Sequence, residues 1–138
     1  IQRIVDEVLL HPICSSKKEL KLEELIQDAT NKFRNPRLNE RKIALEKLWD
    51  AFERLKTIEI PEEKQKKRSA DILLSKASLG QAPFKDILEN ECKTLTNIGN
   101  QYQIRHFEKY TEPIASEEHL DYLFYRMYSL LSLLSRVL

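Results

Sequence analysis

Between Leu95 and Leu138 the chain reads LTNIGNQYQIRHFEKYTEPIASEEHLDYLFYRMYSLLSLLSRVL, and its chemistry-bearing side chains crowd into the early part of that stretch. His106 has the one side-chain type whose ordinary pKa lies near neutrality, so it can give or take a proton at working pH. Arg105 beside it offers a planar fork of donors matched to phosphate oxygens. Asn100, Gln101, Gln103 and Glu108 can orient the histidine or hold a substrate, and Tyr102 adds a ring for stacking. The chemistry these residues suit is acid–base work on a phosphate ester. Arg105 and His106 form the expected catalytic pair, and Asn100, Tyr102, Gln103 and Glu108 the expected substrate-binding set. The same residues also suit a plain polar turn that caps helix ends and pairs with neighbouring carboxylates.

Helices must carry this turn. Phe84, Ile87, Leu88, Cys92, Leu95 and Ile98 fall on one face of a helix from about Pro83 to Ile98, with Gly99 or Asn100 expected to take the left-handed conformation that ends it. After the turn, Ser116 is placed to cap a last helix, with Glu117 and Glu118 near its positive end and a stripe of Leu120, Leu123, Phe124, Met127, Leu130, Leu131 and Leu134. Upstream, Ile1, Ile4, Val5 and Val8 mark an amphipathic helix ended by Pro12, and Ser15 and Ser16 can cap a second one bearing Leu22, Leu25, Ile26, Ala29 and Phe33. Asn35-Pro36 breaks that helix. The most regular segment follows: Leu38, Leu45, Leu48, Phe52 and Leu55 line one face beside Trp49, with Glu40, Glu46, Lys47, Glu53, Arg54 and Lys56 expected toward water. A further helix runs from about Glu62 to Ala77, turning apolar only at Ala70, and Ser78 to Pro83 is the clearest loop. The reading is an all-α bundle of about five or six helices in a single domain spanning residues 1–138.

Composition agrees. Two glycines, a 41% apolar and 33% charged make-up, and no Gly-bounded runs of β-branched residues fit helices rather than strands. A formal charge of +1 argues against wholesale electrostatic binding of nucleic acid, leaving room for a local basic patch. Lys64, Lys66, Lys67 and Arg68 are such a run; beside Glu62 and Glu63 they also suit a solvated helix face. Cys14 and Cys92 form no framework of disulfide-type density, which with the absence of a signal-like opening points to the cytoplasm. Leu120 to Leu138, the most apolar stretch, is interrupted by Arg126, Arg136 and serines, so no membrane span is expected. His11 and Cys14 have ligand-like spacing but no answering pair, so neither metal nor cofactor is expected. Gly-rich phosphate loops, nucleophilic serine motifs and paired acidic motifs of metal hydrolases do not occur, which leaves ATP use without support. The chain opens at Ile1 already inside an amphipathic pattern, and we expect it to be the C-terminal part of a longer protein with a domain upstream.

A long helix ending in a hydrophobic-x-Asn turn, a histidine a few residues on, a short polar loop and a capped apolar last helix resemble the HEPN superfamily. These are small all-helical domains, many of them metal-independent ribonucleases of bacterial defence and toxin systems. The family signature is an arginine, often followed by asparagine, with a histidine a few residues later. Asn100 and His106 match that spacing; Gly99 stands where the family keeps its arginine, and Arg105 is the arginine nearby. The segment ALEKLWDAFERLK, from Ala44 to Lys56, is similar to the family's early core helix. The resemblance implies RNA as the partner and a dimer whose two polar turns line one cleft. In it His106 acts on the 2′-hydroxyl or leaving oxygen and Arg105 holds the scissile phosphate. A homodimer through the Ser116–Leu138 helix suits this, because Ser129, Ser132 and Ser135 among leucines leave that helix apolar or small nearly all round; burial in its own core explains the pattern equally well. Gly99 in place of arginine and the near-neutral charge support a second expectation, a non-catalytic helical module for dimerisation or docking within a larger protein.

Overall fold

Leu22, Ile26, Ala29 and Phe33 recur at helical spacing, and the computed structural model, which describes residues 20–105, 114 and 116–138, buries all four on one side of α1 (Leu20–Phe33). The segment before Leu20, with Cys14 and the first amphipathic stretch, lies outside the described residues. The break at Asn35-Pro36 is stabilised locally: the Asn35 carboxamide oxygen accepts the Arg37 N–H at 2.9 Å, an Asx-type turn. Helix α2 (Leu38–Leu55) then folds back on α1 and buries Ala44, Leu45, Leu48, Trp49, Ala51, Phe52 and Leu55.

After Pro61 a tight single turn, Glu63–Gln65, leads into α3 (Lys66–Ala77). Ser69, fully buried, accepts the Ile60 N–H at 3.0 Å and pins the incoming chain to α3. Helix α4 (Ala82–Gln101) starts with Pro83 in its first turn, and α5 (Glu117–Ser135) is capped as its sequence predicts, Ser116 Oγ accepting the His119 N–H at 3.1 Å. The described residues contain these five helices and no strand, so the fold is all-α.

Helices α1, α2 and α5 form the centre. The Phe33 and Phe124 rings stack with centroids 3.8 Å apart, and Tyr125 meets Phe33 edge-on. Arg41 covers the other side of the Phe33 ring at 4.7 Å and forms an ion pair with Asp121, tying α2 to α5. Arg126 grips Glu91 with both Nε and Nη2, the closest contact 2.5 Å, which ties α5 to α4. Leu120, Phe124, Met127, Leu130, Leu131 and Leu134 of α5 are buried, with Leu123, Leu133, Val137 and Leu138 half-buried against the same core.

Three expectations change. Helix α4 packs closely on α3 over a short stretch and reaches α2 and α5 through long side chains, so it buries Leu88 and Leu95 while Phe84 and Ile87 stand exposed. Along α2 only Arg54 of the six polar residues expected toward water is exposed, Glu40, Glu46, Lys47, Glu53 and Lys56 being half-buried, while Leu38 stands exposed rather than in the core. Gly99 does not end α4: the helix runs to Gln101, and Gln103 takes the left-handed backbone at φ 49°. There the Ile104 N–H reaches the Gly99 carbonyl at 3.0 Å and the Gln103 N–H the Asn100 carbonyl at 3.4 Å, while Ile104 swings fully into the core.

Leu79 closes α3 in the same way at φ 55°, with its side chain 81% exposed. A branched residue in that conformation is strained and contributes little packing here. Leu79→Gly should therefore stabilise the fold by up to about 1 kcal/mol, the relief of left-handed strain less the extra freedom glycine gives the unfolded chain. Urea unfolding reads this directly; a loss of stability would count against the turn as described.

Candidate functional site

The end of α4 and the turn after it face the last turns of α2 and the start of α3 across a cleft of about 340 Å³. It is lined by Trp49 and Glu53 of α2 with its C-cap Lys56, Lys66 of α3, Thr96, Gly99 and Asn100 of α4, and Gln103 and Arg105 of the turn. Helical spacing explains the α2 contribution: positions 49, 53 and 56 follow i, i+4, i+7 and share one face.

The wall of the cleft is set by Trp49. Its Nε1–H donates to the Leu95 carbonyl at 3.0 Å, which lays the indole against α4. A β-carbon on Gly99 would fall 2.5 Å from Nε1 and 2.7 Å from Cδ1 of that ring. Glycine stands at this position because the Trp49 indole occupies the space a side chain would need.

Charges line the floor. Glu53 bridges two ammonium groups, accepting from Lys56 at 2.9 Å and from Lys66 at 2.6 Å. Lys56 also donates to Thr96 Oγ1 at 3.0 Å and rests 4.1 Å over the Phe52 ring. Burial by itself pushes the Glu53 carboxyl up; the hydrogen bonds and charges of Lys66 and Lys56 outweigh that and hold it below the usual glutamate value. At the rim, Arg105 Nε donates to Asp50 Oδ1 at 2.5 Å, and Gln103 Nε2 donates to the Asn100 carbonyl at 3.0 Å.

Asn100, Gln103 and Arg105 thus come together in one concavity. Tyr102 does not join them. It turns to the other side of the chain, into an apolar cavity of about 490 Å³ shared with Ile98, Gln101, Ile114, His119, Tyr122 and Leu123. His106 and Glu108 lie outside the described residues. Sequence reasoning missed Trp49, Asp50, Glu53, Lys56 and Thr96 as site residues; the signal present was the shared face of positions 49, 53 and 56, which by spacing alone reads as core beside solvent. The basic run divides: Lys66 belongs to the cleft, and Lys64, Lys67 and Arg68 do not.

Chemically the cleft offers ammonium, guanidinium and carboxamide donors, with each cation held by a carboxylate of the same chain. Nucleophilic thiol chemistry has no support from Cys92, whose thiol burial pushes up to about 11, with Glu91 and Glu89 adding to it against the pull of Lys56. At pH 8 Cys92 should react with iodoacetamide at least about tenfold more slowly than in the urea-unfolded chain, as mapped by mass spectrometry; equal rates would contradict its protonated, half-buried state. Among the described residues no three His, Cys, Asp or Glu side chains are grouped to hold a metal ion, and no helix is long and apolar enough to cross a membrane.

Fold and site together define an all-helical bundle with a charge-lined cleft at the end of its fourth helix. Compared with protein-family models, curated proteins and solved structures, the chain finds no match.

Proposed function

We propose that this domain binds RNA through the cleft at the end of α4, in the manner the HEPN resemblance implies, with His106 available for metal-independent cleavage. The observation that supports this reading is the gathering of Asn100, Gln103 and Arg105 with Lys56 and Lys66 in one concavity. Donors of these types, spaced around a recess, suit phosphate oxygens and the edges of unpaired bases. A homodimer that joins two such turns would supply a second arginine and histidine to one cleft, and light scattering tests it.

The deciding experiment incubates labelled RNA with the chain in EDTA, beside Arg105→Ala and His106→Ala. The expected result is binding weakened about tenfold by loss of the guanidinium, and any cleavage abolished by loss of the imidazole. Absence of both binding and cleavage in the parent chain would remove the reading.

One specific observation favours a second reading, that of a non-catalytic interaction module. Arg105 is already paired with Asp50, and both cleft lysines with Glu53. Under that reading RNA is bound by neither form, and the chain self-associates or docks a partner with Arg105→Ala indistinguishable from parent.

A further inference from the structure

We propose that a second concavity, the groove between α3 and α4, is a binding site for the phosphate backbone of single-stranded RNA and feeds the cleft; this rests on the RNA reading above. The groove, of about 650 Å³, is lined by Lys64, Lys67 and Arg68 over a floor of Ala70, Leu74 and Cys92.

Three observations point to a polyanion. The first is the state of the cations. Every lysine or arginine of the cleft is engaged by an internal carboxylate, whereas Lys64, Lys67 and Arg68 make no ion pair among the described residues. Two carboxylates also line the groove, but Asp71 is held by Lys85 at 2.6 Å and Glu89 also acts on that lysine, so among the described residues neither forms an ion pair with Lys64, Lys67 or Arg68.

The second is position. Lys64 and Lys67 flank Lys66, which reaches into the cleft, so one turn of chain distributes its cations to both concavities. The third is the floor. Ala70, Leu74 and the protonated Cys92 carry no charge and give sugars and base faces an apolar surface, which suits a single strand with its bases turned inward.

The test measures anisotropy of labelled oligouridine across a salt series, for the parent chain and for the triple variant Lys64→Gln/Lys67→Gln/Arg68→Gln. All three positions are exposed, and circular dichroism confirms that the variant stays folded. The expected result is an affinity lower by about tenfold or more and a salt slope reduced by about 2, near 0.7 for each phosphate of a single strand that is no longer neutralised. Unchanged affinity and slope in the triple variant, with binding lost in Arg105→Ala, would overturn the groove while leaving the cleft reading intact. Inorganic polyphosphate separates the opposite case. If the parent binds polyphosphate through these cations but not oligouridine, the RNA reading fails and the groove survives as a phosphate site. If neither is bound, both fall.

Discussion

Gly99→Ala should destabilise the fold by about 2–3 kcal/mol, the upper part of the range for forcing one carbon into a packed site. The added methyl would enter 2.5 Å from the Trp49 indole nitrogen, and the ring carries a hydrogen bond that fixes where it lies. Relief requires moving the indole, which stretches its bond to Leu95, or moving α4, which disturbs the adjoining turn. Trp49 is the single tryptophan of the chain, so its emission reports the displacement without interference. The expected result is a red shift together with a lower urea midpoint. A variant within about 0.5 kcal/mol of the parent, with emission unmoved, would show that the indole does not lie against Gly99. Gly99→Arg, with a longer side chain at the same point, should be worse still. Within the cleft the guanidinium is that of Arg105, paired with Asp50.

Glu53→Gln should move stability and binding in opposite directions. At pH 7 the variant should lose about 1–2 kcal/mol, because two charged hydrogen bonds weaken and the half-buried Lys56 is left short of a counter-charge; the open side of the cleft keeps the loss modest. The pH dependence has a definite sign. Glu53 titrates below its ordinary value of 4.5 in the folded chain, so its contribution is complete above that value and disappears as pH falls through the lower folded one. Parent and variant unfolding curves should therefore differ at pH 7 and converge as the pH falls below the lowered folded-state value of Glu53. Binding should respond the other way. With the bridging carboxylate neutralised, Lys56 and Lys66 are released to an incoming phosphate, and affinity for RNA should rise several-fold, on the scale of one more neutralised phosphate. Weaker or unchanged binding would mean that these lysines serve the fold alone.

The helical bundle was legible because local patterns agree with the packing. The stripes of α1, α2 and α5 and the Ser116 cap were visible as spacing, since an amphipathic helix writes its buried face directly into the chain. Helix α4 was readable only in part: Phe84 and Ile87 carry the same pattern as Leu88 and Leu95, but stand exposed where the latter two are buried. Spacing reports that a face is apolar and is silent on whether a neighbour lies against it.

The site divides along the same line. Asn100, Gln103 and Arg105 could be named from the sequence because they are close along the chain and chemically suited to a phosphate. Their counterparts could not, because Asp50 lies 55 residues from Arg105 and Thr96 lies 40 from Lys56, and only the crossing of α4 over α2 joins them. Gly99 makes the point most sharply. As a sequence letter it looks like a helix terminator and a missing arginine; in the folded chain it is a helical residue whose lack of a side chain admits Trp49. Sequence alone determined that this protein is all-α and which polar residues cluster after its fourth helix. Tertiary structure alone decided which of them share a cleft and that internal carboxylates hold its cations, because ion pairs and close approaches depend on distance in space rather than distance along the chain.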